Sequence, residues 1–302
     1  MSVRLTLFGL LLCLAFSAWS APTPQVRFPD GDLAYAQTDL SVPVRGGAVV
    51  LSRTWADGRW YLNPAWADLK LTLDAVDGSV RSIQRGGAVF AKSGNGVFVT
   101  DDRFFIRATT APVGWRWYDR IGNWIDYDAN GRIRRYGDRN DVQVSFTRNG
   151  NGQIENVLDH AGAVALTLTW NGDHVATARD RDNRLVTYDW SGGLLTRVTD
   201  VLGYPWDFDY DGNGQLTQIT DPETRVWKIT YVQSFRVSGS GAPPGVSTSG
   251  RLARDFRVSA VWKLENPLHK ETVYDYDYSR ERRQWSVIER TPECRTWSAM
   301  PK

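Results

Sequence analysis

Apolar and polar residues alternate along several stretches in the middle of this chain. Val142, Val144 and Phe146 occupy every second position, and so do Val164, Leu166, Leu168 and Trp170. Val186, Tyr188 and Trp190 repeat the pattern, as do Trp206, Phe208 and Tyr210. A period of two in β-branched and aromatic residues predicts strands with one buried face. Between these runs lie shorter ones whose apolar residues stand three apart: Ile133 and Tyr136, Ile154 and Val157, Leu195 and Val198, Leu216 and Ile219. That spacing fits neither a strict strand nor a full helical face. It predicts short, bulged or strongly twisted strands.

The two kinds of run form one unit written five times. Read from each glycine, the copies begin GRIRRYGD at Gly131, GQIENVLD at Gly152, GDHVATARD at Gly172, GLLTRVTD at Gly193 and GQLTQITD at Gly214. The closing aspartates Asp138, Asp159, Asp180, Asp200 and Asp221 are spaced by 21, 21, 20 and 21 residues. A near-fixed period of this size marks a repeat array. Three residues after each aspartate stands Asp141, Gly162, Asn183, Gly203 or Thr224. The first four are types that tolerate positive φ or hydrogen-bond their own backbone, so hairpin turns are expected at the five aspartates. RNGNG, NGD, SGG and DGNG separate the units and are hairpin signals in their own right. A lone hairpin is marginal in water, so stability is expected to come from stacking along the array.

Tyr127-Asp128 before NGRI, Tyr188-Asp189 before GLLTRVTD and Tyr210-Asp211 before GNGQLTQITD resemble YD repeats. These define the RHS family, bacterial relatives of the animal teneurins. The segment from Gly31 to Trp55 and DLKLTLDAVDGSV from Asp68 resemble the region that opens many RHS proteins. The link between them, WADGRWYLNPAW, is shorter than the glycine-rich one usual there. The resemblance implies an all-β fold: stacked hairpins forming a curved, open segment of an RHS-type β-shell. It also implies a structural role in enclosing or delivering a toxin in bacterial competition. The D-P-x-G-L self-cleavage motif of the family is not matched, because Asp221-Pro222 continues as Glu223-Thr224.

The expected order is a signal peptide over 1–20, an RHS-like β region over 21–117 and the hairpin array over 118–231. A Gly/Ser/Pro-rich insertion over 232–255 and further repeats over 256–302 follow. Arg4, the apolar run Leu5 to Phe16, and Ala18-Trp19-Ser20 before Ala21 predict cleaved export, hence a secreted, periplasmic or cell-surface protein. That run is too short for a comfortable membrane span. PECRTW from Pro292 copies PETRVW from Pro222, and only five residues follow Trp297. The final hairpin is therefore expected to present an incomplete edge, covered by the rest of a shell or a second chain.

Composition narrows the chemistry. The 36 Lys and Arg residues nearly balance 34 Asp and Glu, and no basic block dominates, so no nucleic-acid partner is expected. Cys294 is the one cysteine beyond the export segment, which excludes an intramolecular disulfide there. Asp207, Asp209, Asp211 and Gly212 spell the front half of a calcium loop, and Asp126, Asp128, Asn130 and Gly131 nearly repeat it. The glutamate due at the twelfth position is Gln218 or Gly137, and the aspartates read better as a strand's solvent face. His160, His174 and His269 accompany no activated nucleophile, and no phosphate loop or dinucleotide fingerprint is present. No catalytic residue, metal or cofactor is expected. Trp170, Trp190, Trp206 and Trp227 fall in the inward phase and read as core. Trp55, Trp60, Trp66, Trp115 and Trp117 lie in less regular sequence, where an exposed cluster would stack on sugar rings. Trp60 and Trp66 are the candidates for such stacking. A secreted carbohydrate-binding or adhesion module is accordingly the alternative reading.

Overall fold

The computed structural model describes residues 22–27, 31–86, 88–100, 104–232, 260–279 and 284–291. The expected export segment, nearly all of the 232–255 insertion, and the closing copy with Cys294 and Trp297 lie outside them. Four strands form a sheet of their own: β1 (Gln25–Arg27), β2 (Asp32–Val44), β3 (Gly47–Ala56) and β4 (Arg59–Leu62). After a 3-10 turn at Pro64–Trp66 come β5 to β10, at Lys70–Leu73, Val80–Arg85, Ala88–Gly94, Val97–Val99, Phe105–Thr110 and Val113–Tyr118. Strands β11 to β16 follow at Trp124–Asp128, Ile133–Gly137, Gln143–Arg148, Ile154–Leu158, Val164–Asn171 and His174–Asp180. Strands β17 to β21 lie at Leu185–Ser191, Leu194–Thr199, Pro205–Tyr210, Leu216–Thr220 and Val226–Val232. The last three, β22 to β24, are Ala260–Glu265, Glu271–Ser279 and Gln284–Arg290.

Strands β5 to β24 pair antiparallel with their neighbours in sequence and make one sheet of twenty strands. Their order can be written as a ring, yet no register joins β24 to β5 among the described residues. The sheet is open. It runs without interruption through residue 117, so the irregular front and the regular units share one ladder. No α-helix occurs among the described residues, and none is long and apolar enough to cross a membrane.

One extra residue explains the three-apart spacing of the short runs. Tyr210 pairs with Leu216, but Asp209 pairs with Gln218, which leaves Thr217 without a partner position. The same bulge recurs at Arg134, Glu155, Ala176, Thr196 and Trp262. A bulge shifts strand parity by one, so residues three apart share a face. Leu195 with Val198 and Leu216 with Ile219 are thereby buried together.

The bulges also explain how units are stitched. Arg148, Trp170, Trp190, Tyr210 and Tyr231 each occupy the last inward position before a turn or bulge. Trp170 Nε1 donates to the Ile154 carbonyl at 2.7 Å, and Trp190 Nε1 to Val175 at 2.9 Å. The Tyr210 hydroxyl donates to Leu195, and that of Tyr231 to Leu216 at 2.9 Å. Arg148 donates to Ile133 at 3.2 Å from the same slot. Every acceptor is the residue just before a bulge in the preceding unit. The slot varies in sequence among Arg, Trp and Tyr, but its role is constant. In each case a long side-chain donor satisfies a carbonyl beside the bulge.

The turns follow one plan too. In each repeat the aspartate Oδ1 accepts the backbone N–H groups two and four residues on, as Asp200 does from Leu202 at 2.8 Å and Tyr204 at 2.9 Å. The same Asx turn occurs at Asp138, Asp159, Asp180 and Asp221. The residue three after the aspartate is left-handed in all five: φ is 59° at Asp141, 79° at Gly162, 64° at Asn183, 85° at Gly203 and 61° at Thr224. Thr224 is the strained member, because a β-branched residue is crowded in this region.

The small sheet lies against the buried face of the large one. Leu33, Tyr35, Val42, Val49, Leu51 and Trp55 join Leu166, Val186, Val198 and Ile219 in a single core cluster.

Candidate functional site

Two constellations on that shared face carry polar chemistry. The first is a buried anchor between the sheets. Asp39 is the extra residue of a bulge in β2, since Thr38 pairs with Ser52 and Leu40 with Leu51. The bulge brings Asp39 to Arg53, and both side chains are 2% exposed. Arg53 also donates to Gln37, which accepts the Tyr35 hydroxyl at 2.7 Å. From the large sheet, the Tyr188 hydroxyl donates to Asp39 at 2.8 Å. Phe208 and Trp206 lie 5.5 and 5.9 Å from the guanidinium carbon. Burial pushes the Tyr35 and Tyr188 hydroxyls well above the usual tyrosine range, with the Arg53 charge opposing. Arg53 Nε and Trp55 Nε1 find no acceptor among the described residues. The charges are compensated and dry, which suits a structural lock better than a reacting group.

The second is a groove of about 470 Å³ where the small sheet ends. Its walls come from β4, the 3-10 turn after it, the hairpins β13–β14 and β15–β16, and strand β17. Trp60, Trp66, Trp170 and Trp190 all line it. Their roles differ from the sequence expectation. Trp66 is buried, meeting Phe146 edge-on at 5.3 Å between ring centres, so its face is not offered for stacking. Trp60 is half-buried and packs edge-on to Tyr35, Trp55 and Phe208, while its Nε1 donates to Tyr210 at 2.7 Å. Trp55 is buried outright, so the expected exposed cluster does not form. Sequence alternation could not show this, because what covers Trp66 and Trp55 is distant in the chain.

Trp170 and Trp190, expected in the core, are only partly buried and line the groove. Their N–H groups are spent on the inter-unit stitches, so what remains for a ligand is carbon surface. The His174 ring lies flat on Trp190, at 4.3 Å and 14°. Asp173 is exposed beside it. Across the groove, Arg148 is held by Asp68 at 2.8 Å and by the Gly152 carbonyl at 2.8 Å. The signal that marks these residues is their position: Asp173 closes the two-residue turn of the NGD hairpin and His174 begins the next strand, between two inward tryptophans.

The remaining candidates are engaged elsewhere. Asp207 pairs with Arg197 at 2.6 Å, Asp209 accepts from Gln218 at 2.8 Å, and Asp211 caps its own turn. Asp126 is shared by Arg116 and by Arg135, the latter at 2.9 Å. That pairing raises the Arg116 pKa. His160 accepts the Gln143 N–H at 3.3 Å, and His269 pairs with Glu265 at 2.8 Å.

Comparison with known proteins agrees with the repeat plan. Residues 188–226, from β17 to the start of β21, match the RHS repeat family. Among solved structures, a Tc holotoxin pore of Photorhabdus luminescens with a TccC3 variant matches at 10% identity and TM-score 0.29. A TcdB2-TccC3-TEV crystal structure matches at 11% and 0.28. Each alignment covers 87% of this chain, which spans only 14% of the length of those chains. Residues 188–226 therefore carry an RHS repeat, and the same bulge, stitch and Asx turn continue on its N-terminal side.

Proposed function

We propose that this chain is an exported wall segment of an RHS-type shell, that the shell encloses a toxin polypeptide used between bacteria, and that the segment itself is not an enzyme. The observation that supports this reading is the open sheet of twenty strands, stitched unit to unit and lined by one continuous core. Its terminal strands β5 and β24 each pair on one side among the described residues. An unpaired strand edge is a template for another strand, and natural proteins cover it. A further shell segment is the partner whose chemistry fits.

The test is a photo-crosslinking residue at position 288, where Ile288 of β24 is 49% exposed, in cells that produce the protein. The expected product is one defined cross-link to a strand of another shell segment, in an exported protein whose N-terminus lies near Ala21. A chain exported as a monomer with no such cross-link overturns the shell reading. An intact Met1 on most molecules overturns the export reading.

A further inference from the structure

We propose that the face of strands β10–β12 turned away from the core holds a pocket for a phosphate monoester group, built on Arg116, Arg134 and Arg135. The inference is independent of the shell reading. Arg116, Asp126 and Arg135 stand opposite one another on three neighbouring strands. They alternate with Trp115, Ile125, Tyr127 and Tyr136, which pack on the core, so they point to the other side. Arg116 grips Asp126 with two nitrogens, and Arg135 Nε adds a third bond at 2.9 Å. Both guanidinium carbons also lie over the Trp124 ring, at 4.6 and 5.3 Å from its centre. Asp126 and Trp124 are buried although they sit on this outer face. The two planar forks are therefore fixed before a ligand arrives, in the form that suits an oxyanion.

The bulge of β12 supplies the third cation. On a regular strand Arg134 would point away from Arg135; at the bulge both line one pocket. The matching pairs in the other units are Glu155-Asn156, Ala176-Thr177, Thr196-Arg197 and Thr217-Gln218, none with two cations. The contrast is sharpest at Arg197, where one arginine stands between Asp189 and Asp207. Around Asp126 the ratio is reversed. Arg107 moreover faces Arg116 directly across β9–β10, a like-charge pair that costs stability until an anion joins it. Neither Arg107 nor Arg134 has an ion pair among the described residues, and both are exposed.

Size and charge then select the ligand group. The pocket is about 150 Å³, with Thr109 and Pro112 completing its wall. That is below the roughly 300–1,000 Å³ of small-molecule sites, so it takes one group of a ligand. A shallower depression sharing Pro112, Arg134 and Arg135 adjoins it and leaves room for the rest of an ester. Three guanidiniums against the Asp126 carboxylate leave two positive charges. Adding Arg107 and Asp128 at the margin leaves the same excess. A phosphate monoester carries about 1.5–2 negative charges at neutral pH, which balances it.

The experiment is titration calorimetry on the purified full chain with glycerol phosphate and with sulfate. Saturable binding of glycerol phosphate, competed by sulfate, is expected. Arg134→Gln should weaken it roughly tenfold, the scale of one charge-assisted hydrogen bond. Arg107→Gln should weaken it less, and Arg45→Gln, on the exposed β2–β3 turn, should leave it unchanged. All three side chains are exposed, so the variants keep the fold, which a thermal melt verifies. No histidine lines the pocket, so pH acts through the ligand. Below about pH 6 the ester takes up a proton and should bind more weakly, while sulfate should not. Flotation with phosphatidylcholine vesicles carrying phosphatidic acid identifies the source of the group. Flotation that Arg134→Gln abolishes assigns a lipid headgroup; its absence, with glycerol phosphate bound, assigns a soluble ester. Failure of glycerol phosphate to saturate overturns the proposal. So does binding that Arg134→Gln leaves intact, binding that Arg45→Gln removes, an equal loss of sulfate and ester in acid, or equal flotation with phosphatidylglycerol, a singly charged diester.

Discussion

The small sheet β1–β4 and the regular units β11–β21 alternate in the same way, yet they are held in place by opposite means. Each unit touches chiefly the units before and after it, through ladder hydrogen bonds, a bulge and one stitch. Its strands could be placed by knowing only their neighbours. The β2–β3 hairpin belongs to no such series. It is located by contacts more than a hundred residues away in sequence, Tyr188 to Asp39 and Arg184 to the Ser41 carbonyl at 2.9 Å, and the β4 strand beside it by Trp60 to Tyr210. The comparison teaches that a repeat array specifies its own register but not what covers its face. The covering element needs a directional lock, and a buried charge pair supplies direction that hydrophobic contact lacks.

The largest expected effect comes from breaking that lock. Arg53→Ala leaves Asp39 buried and unpaired, and removing one partner of a buried pair costs about 3–5 kcal/mol. Chemical denaturation should show it, with β2–β3 losing hydrogen-exchange protection. Replacing both partners, as in Arg53→Met with Asp39→Leu, should recover much of the stability. A single variant as stable as the parent would show that the lock carries no weight.

In the array, Ile219→Ala removes a fully buried side chain and should cost about 2–5 kcal/mol. Loss of exchange protection should stay within the hairpins next to β20, because repeat stability is a nearest-neighbour sum. Uniform loss over the whole sheet would contradict the local account.

The stitches give a smaller and pH-dependent effect. Tyr210→Phe leaves the Leu195 carbonyl without its donor, for a cost of about 1 kcal/mol. Burial raises the Tyr210 and Tyr231 pKa values above the tyrosine value of about 10. The folded state favours the neutral phenol, so this contribution is full below pH 10 and is lost as pH rises beyond it. Hairpins stitched by tyrosine should therefore fray in alkali before the β15–β16 hairpin stitched by Trp170, whose strands hold no tyrosine. Exchange measured from pH 9 to 12 with equal fraying in both would remove the stitch from the account.

The smallest change should stabilise. Thr224→Gly relieves a β-branched residue at φ 61° and should gain about 0.5–1 kcal/mol in thermal unfolding. A loss would mean that the Thr224 hydroxyl's bond to the Glu223 carbonyl, at 2.6 Å, outweighs the strain.

The array was legible in the sequence for physical reasons that these experiments probe. Period-two alternation, glycine and aspartate phase, and the left-handed slot at Gly162, Asn183 and Gly203 are local rules, and local rules leave marks every 21 residues. Even the three-apart spacing of Leu216 and Ile219 was a readable trace of the Thr217 bulge. Which tryptophans line the groove depends on distant partners, which leave no local mark. Trp66 reads as exposed until Phe146 covers it, and Trp170 reads as core until the edge of β4 leaves it uncovered.

The sequence by itself therefore determined strand period, turn type and the hairpin unit, since each is set by residues within one turn or one ladder of each other. Only the tertiary structure decided that β1–β4 lies across the array, that Asp39 turns inward to Arg53, and which tryptophans face the groove. Those outcomes depend on which apolar surfaces remain to be covered once the strip has curved, and no short-range pattern encodes the answer.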